Sequence, residues 1–333
     1  MRKLLIFLSI LLVTVSVKAQ DPHFSQFFAS PLTLNPALTG KFDGQFRFAG
    51  NYRNQWPSIP NAYITTSASV DFSVLKKVVP NGDILGIGIS GLSDQSADDA
   101  LSLNYGSLSL SYHKALDEDG YNTIGAGFQA TYSSINLNLS KLTFEDQLTQ
   151  NGFTGTTSEV FNNGTNKNYF DMSAGLLFSG SSDGINNYYF GASLYHINRP
   201  SVGFQDQNWI LLPRTTVHGG ASFPLNDQLT IDASAISQFQ NEANETLIGG
   251  ALAINVNQDH DDPTNVYVGS WIRFGDAIIP YVALEYEGWR IGTSYDVNTS
   301  SLKAATDSRG GIELSLIYIK KDYGVKGVPC PTF

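Results

Sequence analysis

The chain has 333 residues, with 20 Lys+Arg against 30 Asp+Glu. That acidic balance argues against nucleic acid or an anionic membrane surface as partner, and a single cysteine, Cys330, excludes an intrachain disulfide. Charged residues are only 15%, Gly (31), Phe (20) and Tyr (16) are plentiful, and no long apolar run follows the N-terminus, which excludes a helical membrane protein.

Residues 1–19 read as a signal peptide. Arg2 and Lys3 supply the positive start, Leu4 to Val17 the apolar stretch, and Val17-Lys18-Ala19 the small-residue cleavage pattern. The apolar run is short for a retained anchor, and no cysteine follows the cut as a lipoprotein would need. Cleavage removes three basic residues and leaves 17 against 30, a formal −13. No linker, charge block or composition shift divides what remains.

Residues 20–43 contain two Asx-Pro pairs, Asp21-Pro22 and Asn35-Pro36. Asp or Asn can cap a helix, and Pro is pre-organised for its first position. Phe24, Phe27 and Phe28 then fall on one face of a short turn, and Gly40 suits the end of a second one. The expectation is a compact, partly helical segment that must bury its aromatic face. A disordered leader would leave three aromatics exposed.

Beyond Asp43 the chain alternates with period two in segments of about 9–12 residues, the strand signal. Phe46, Phe48, Tyr52 and Trp56 share one face; Arg47, Ala49, Asn51 and Arg53 share the other. Trp289, Ile291, Tyr295 and Val297 likewise oppose Arg290, Gly292, Ser294 and Asp296, and Ile312, Leu314 and Leu316 oppose Glu313 and Ser315. A soluble sandwich also alternates, with its apolar face as a dry core. Here the second face is crowded with Gly, Ala and Ser, which suits a confined lumen, and aromatics gather near strand ends as an interfacial girdle requires. The expectation is an all-β fold, a closed antiparallel transmembrane β-barrel of about 14 strands over residues 44–319, with a tail at 320–333.

Strand parity supports the count. Odd connections include the long ones, 134–167, 198–212 and 298–308, while even ones are short, such as "LDEDG", "SSDG", "PLND" and "EG". Long loops outside and short turns in the periplasm are the rule for such barrels. A two-residue turn at Glu287-Gly288 sets Tyr286 opposite Trp289 and Glu285 opposite Arg290. Arg47, Arg53, Asp296 and Glu313 are expected to extend that pair into a lumenal polar network; solvated charges in a wet interior are the alternative.

No catalytic constellation stands out. The sequence lacks G-x-S-x-G, H-E-x-x-H, a Walker loop and paired cysteines, and its five histidines lie in unrelated segments. Asp259, Asp261 and Asp262 in "QDHDDP" could touch Ca²⁺ but show no EF-hand pattern. The reading is a non-enzyme without metal or cofactor, with a barrel hydrolase as a remote alternative.

Several stretches together resemble the PorP/SprF family of type IX secretion system membrane proteins. They are "QDPHFSQFFASPLTLNPALTG", "NYRNQWPS", "SLYHINRPS" (193–201), "LPRTTVHGGASFPL" (212–225), "WIRFGDAIIPYVALEYEGWRIGTSYDVNTSSL" (271–302) and Cys330-Pro331. The resemblance implies an outer-membrane barrel that supports secretion or surface anchoring of a large adhesin in gliding bacteria. The implied partners are a type IX cargo with a C-terminal sorting domain, other periplasmic and outer-membrane components of the system, and the lipid bilayer. Asn35-Pro36-Ala37 also looks like a turn in the FadL family of fatty-acid barrels, which carry an N-terminal hatch. On that reading Phe24, Phe27, Phe28, Asn35 and Pro36 form a hatch, and a FadL-like transporter of hydrophobic small molecules is the alternative function. The loop 134–167, read as lacking regular structure of its own, contributes Phe144, Phe153 and Phe161 to an expected cargo-binding rim, joined by Trp209 from 198–212.

Overall fold

A computed structural model describes residues 21–321, apart from 60–61, 77, 81, 119, 159–164, 182, 205–206 and 258–263. The expected signal peptide, Phe161, the Asp259–Asp262 turn and Cys330 lie outside the described residues.

Long strands alternate with tight turns and wider loops. They are β1 (Phe46–Gln55), β2 (Tyr63–Val74), β3 (Ile84–Ser96), β4 (Leu101–Ala115) and β5 (Thr123–Leu137). After a small hairpin, β6 (Leu148–Thr149) and β7 (Gly152–Phe153), come β8 (Asn166–Ser181), β9 (Asn187–Tyr195), β10 (Arg214–Asn226) and β11 (Leu229–Gln240). The chain closes with β12 (Ala243–Asn255), β13 (Asn265–Arg273), β14 (Ala277–Tyr286), β15 (Trp289–Asn298) and β16 (Arg309–Lys320). All but β6 and β7 join one closed barrel of 14 strands, each antiparallel to its neighbours in chain order. β1 and β16 seal it from Phe46↔Lys320 to Gln55↔Gly311.

The two faces separate as the alternation requires. Along β15 burial switches at every residue. Outward positions are large and apolar, with Leu108 66% and Ile291 60% exposed, while Ser107, Ser109, Ser111, Thr131, Ser133 and Ser173 are buried inward. Such a surface is stable only in lipid. Near the short turns, outward aromatics form a band: Phe46 lies 5.9 Å from Phe72 and 5.7 Å from Tyr318, which stacks on Trp289 at 4.4 Å.

The turn at Glu287-Gly288 has both residues at positive φ, 48° and 80°, the backbone that a two-residue hairpin favours. It pairs Tyr286 with Trp289 and Glu285 with Arg290.

Two local expectations need correction. Asp21-Pro22 starts no helix; the first helical turn is 3₁₀, at Phe27–Ala29, because the Asp21 carboxylate is engaged by the barrel wall. The loop after β5 is also not free of regular structure. It holds 3₁₀ turns at Leu139–Lys141 and Glu145–Gln147 and the β6–β7 hairpin, pinned by Gln147 donating from its backbone to Phe144 and by Thr149 and Asp146.

A barrel without a free edge resists detergent. Unboiled protein should therefore migrate differently from boiled protein on a denaturing gel. Identical migration together with solubility in the absence of detergent would contradict the barrel.

Candidate functional site

The segment from Asp21 to Gln45 runs down the lumen, from the loop end to the short-turn end, before entering β1. Its short helical turns follow from local chemistry. Asn35 caps Pro36–Leu38, its Oδ1 accepting from Ala37 N at 2.8 Å, and Ser30 precedes the helix Pro31–Leu34 with Pro at its first position. Gly40, at φ 69°, ends the run.

At the loop end the Asp21 carboxylate meets His196 Nε2 at 2.6 Å and Arg214 at 3.5 Å. His196 Nδ1 faces Asp171 at 2.9 Å, so both ring nitrogens donate to carboxylates. Gln240 Nε2 donates to Asp21 Oδ1 at 3.1 Å, and Gln240 Oε1 accepts from the Asp21 backbone N–H at 2.9 Å.

One turn lower lies a charge cluster. Arg53 contacts Asp296 at 2.9 Å and Glu313 at 3.3 Å, and Arg273 contacts Asp296 at 2.8 Å and Glu245 at 3.2 Å. The lumenal segment Asp21–Gln45, here called the plug for its position alone, completes it. Ser25 and Gln26 donate backbone N–H groups to Glu313 at 2.7 and 2.8 Å, and the Ser25 hydroxyl donates to Asp296 and accepts from Arg273 at 2.7 Å. His23 pairs with Glu245 at 2.9 Å.

Below this, Phe27 and Phe28 enter an apolar patch of the wall. Phe28 lies 4.9 Å from Trp271 and 5.4 Å from Tyr281, and Phe27 packs with Ile236, Leu247 and Ile279. Phe24 is buried as well. Asn35 donates to Leu176 O at 3.0 Å and meets His218 Nε2 at 3.0 Å. Nearer the turns, Gly40 N donates to Asp71 at 2.7 Å, and Arg47 pairs with Asp71 at 2.8 Å.

The predicted polar residues thus divide into three sets. Arg53, Asp296 and Glu313 meet. Glu285 and Arg290 pair at 2.8 Å with Tyr267 at the short-turn end, while Arg47 takes Asp71 instead of Glu313. Height along the barrel axis is the reason: Arg47 and Arg53 are six residues apart on one strand, and Arg53, not Arg47, is directly opposite Glu313. Sequence reasoning missed His196, Arg214, Arg273 and Glu245 and read Asp21 only as a helix cap; the position of the first four near the loop-end tips of strands or just beyond them was the available signal.

The rim residues stand apart from this plugged interior. Phe153 is 54% and Trp209 64% exposed, and Phe144 is half-buried. Among the described residues no three His, Cys, Asp or Glu side chains converge as a metal site would require.

The plug touches the wall closely at Gly127 and Gly175. A Cβ on Gly175 would strike Asn35 Oδ1, and one on Gly127 would strike Pro36 and Ala37 backbone. Overpacking of this kind costs about 1–3 kcal/mol or more. Gly175→Leu should leave the gel shift of the barrel intact while making residues 21–45 cleavable by added protease; an uncut plug would show that this contact does not hold it.

The His196 clamp gives a pH dependence. Burial alone would lower its pKa, but the Asp21 and Asp171 carboxylates outweigh burial and push it up to about 9. Burial would raise the Asp21 carboxyl, and Arg214 and His196 more than offset this, holding it well below its usual range. The His196 contribution is complete below its ordinary value of 6.5 and lost as pH rises through about 9. Asp21 contributes above its ordinary 3.8 and loses this only in strong acid. The temperature at which the unboiled band converts should therefore fall between pH 7 and 10, by roughly 2–4 °C per kcal/mol lost. In His196→Gln that fall should flatten; an unchanged slope would exclude the clamp as its source.

Among curated proteins none matches the sequence. Solved structures that resemble it include the Pseudomonas putida toluene transporter TodX, at 11% identity and TM-score 0.50 over 89% of this chain and 93% of that one. A FadL homologue from Pseudomonas aeruginosa aligns at 11% identity and TM-score 0.44, over 85% and 92%. These likenesses concern the barrel fold alone. The model for "Type IX secretion system membrane protein PorP/SprF" matches residues 16–318. The chain belongs to the PorP/SprF family of type IX secretion system membrane proteins and is a β-barrel of the outer membrane.

Proposed function

We propose that this barrel holds a secreted type IX cargo, a large adhesin with a C-terminal sorting domain, at the cell surface, and that it catalyses no reaction. The single observation that carries this reading is the division of labour along the axis. The lumen is occupied by a plug bonded to the wall at every level from Asp21 to Gly40, while the loop end presents Phe153 and Trp209 to solvent. By the parity of the connections the loop end faces outward, where an adhesin is displayed.

Exposed aromatics on a rim are the residue type that anchors protein interfaces. The plug serves as a hatch that keeps the lumen closed while the rim works. The short turns are where periplasmic components of the system would dock. Transport of hydrophobic small molecules, the alternative, needs a path through the plug, and buried ion pairs that fix it are costly to break, about 3–5 kcal/mol when one partner is removed.

Deleting about residues 145–165 should leave the barrel folded and in the outer membrane, and reduce surface retention of one adhesin several-fold. Normal adhesin display with raised permeability to small solutes would instead show a loop that only shields the lumen.

A further inference from the structure

The lumen above the plug is filled on one side only. Against β1–β5 and β8 a cavity of about 520 Å³ opens towards the loop end, a volume within the range of ligand pockets. These are mostly the tall strands: β3, β4, β5 and β8 have 13, 15, 15 and 16 residues, against 9 or 10 for β13, β14 and β15.

The lining changes character with height. Low on β4 the inward positions are Ser107, Ser109 and Ser111. Around the cavity the inward side chains are Leu101, Leu103, Ile135 and Tyr169, with Trp56 and Tyr63 edge to face at 5.6 Å at the rim. Asp94 of β3 stands in this apolar wall. Its Oδ1 accepts from Thr65 Oγ1 at 2.5 Å, a neutral hydroxyl directly opposite on β2. Among the described residues it makes no ion pair within 4 Å, and His23, held by Glu245, acts on it only from further off. The other charged groups of the cavity are already engaged: Asp21 by His196 and Arg214, and His23 by Glu245.

A carboxylate whose one hydrogen-bond partner is a hydroxyl, set among aliphatic and aromatic side chains, favours an organic cation on an apolar stem. The charged end gains a charge-assisted hydrogen bond, and the stem gains apolar and cation–π contact.

The wall beside the cavity also offers backbone. β8 rises beyond its last pair with β9, Ala174↔Leu194, by the residues from Asn166 to Ser173. Asn198 ties off part of that edge, donating to Phe170 O at 2.7 Å and accepting from Met172 N at 3.0 Å. Asn166 and Asn168 continue the edge, and no described strand pairs with it there. An extended peptide can add to such an edge and project alternate side chains to one face. Tyr169, next to Asn168, lines the cavity.

We propose that this vestibule receives a lysine or arginine side chain from an extended polypeptide segment that crosses it, with Asp94 taking the cation and the open edge of β8, three strands away in the order β8-β5-β4-β3, taking backbone further along the segment. The polypeptide nature of the occupant rests on the anchoring reading; the cation site rests on the cavity itself.

The test uses the purified full-length barrel in detergent. Its probes are a fluorescein-labelled peptide Gly-Thr-Leu-Lys-Leu-Thr-Gly and the same peptide with norleucine for lysine. The lysine peptide should bind, as read by anisotropy, and Asp94→Asn should weaken it about tenfold. The norleucine peptide should bind weakly and equally to both proteins. Equal affinity of wild type and Asp94→Asn for the lysine peptide, or no binding to wild type, overturns the proposal. Tight binding of n-octylamine without peptide binding overturns the polypeptide occupant. Should Asp94→Asn lose the gel shift of a folded barrel, Trp56→Leu at the rim replaces it, with a several-fold loss expected for the lysine peptide only and an unchanged affinity counting against the site. Lysine-specific binding combined with normal adhesin display in the loop deletion would sink the anchoring reading and leave the cation site standing; the reverse combination would sink the cation site alone.

Discussion

Arg53, Arg273, Asp296 and Glu313 are buried together inside a wall that lipid surrounds, and the arrangement of the molecule turns on keeping these four charges paired. An ion removed from water costs several kcal/mol unless partners and hydrogen bonds replace what it lost. The four residues come from β1, β13, β15 and β16. Arg53 reaches Glu313 only because the last strand closes on the first, which sets the two opposite each other. Closure of the seam and neutralisation of the cluster are therefore one event. The wall alone still does not satisfy it. Glu313 needs the N–H groups of Ser25 and Gln26, and Asp296 needs the Ser25 hydroxyl. Barrel and plug are thus coupled through this cluster.

This coupling bears on what the lumen can do. An inward face of Ser, Gly and His could line a water channel, as the sequence alternation alone would allow. The structure instead places plug groups there, bonded to the wall at several levels. Ser193 and Ser111 donate to the carbonyls of Leu34 and Thr39, and Asn35 links to His218. Local opening of such a segment requires many bonds to break together, which places it at the stable end of the range that proteins show.

Strand number, pairing order, face assignment and the Glu285–Arg290 hairpin were legible because each is a local pattern. Period two fixes the face, and a two-residue turn fixes the register across it. The charge partners were less legible. Parity told that Arg47, Arg53 and Glu313 point inward, but not at what height, and height decides that Arg47 meets Asp71. The plug contacts were beyond reach for another reason. Ser25 and Glu313 are 288 residues apart, and no periodicity relates a helical turn to the strand it touches. The aromatic face of Phe27 and Phe28 could be read as needing burial. Its acceptor could not, because Trp271, Ile279 and Tyr281 look like lipid-facing residues in an apolar strand until the register is known.

Unequal strand length organises the mouth. The charges of the cluster that grips the plug come from β1, β12, β13, β15 and β16. On β3, β4, β5 and β8 the upper inward positions line the open cavity, with Asp21, Pro22 and His23 of the plug on its other side. Those positions have turned apolar and aromatic, as Leu101, Leu103, Ile135 and Tyr169 show. An apolar lining in an open vestibule is unfavourable while it stays wet, and a partly buried carboxylate without a cation adds to that. The interactions that seat the plug on one side of the lumen therefore leave a cavity of about 520 Å³ open on the other, at the loop end.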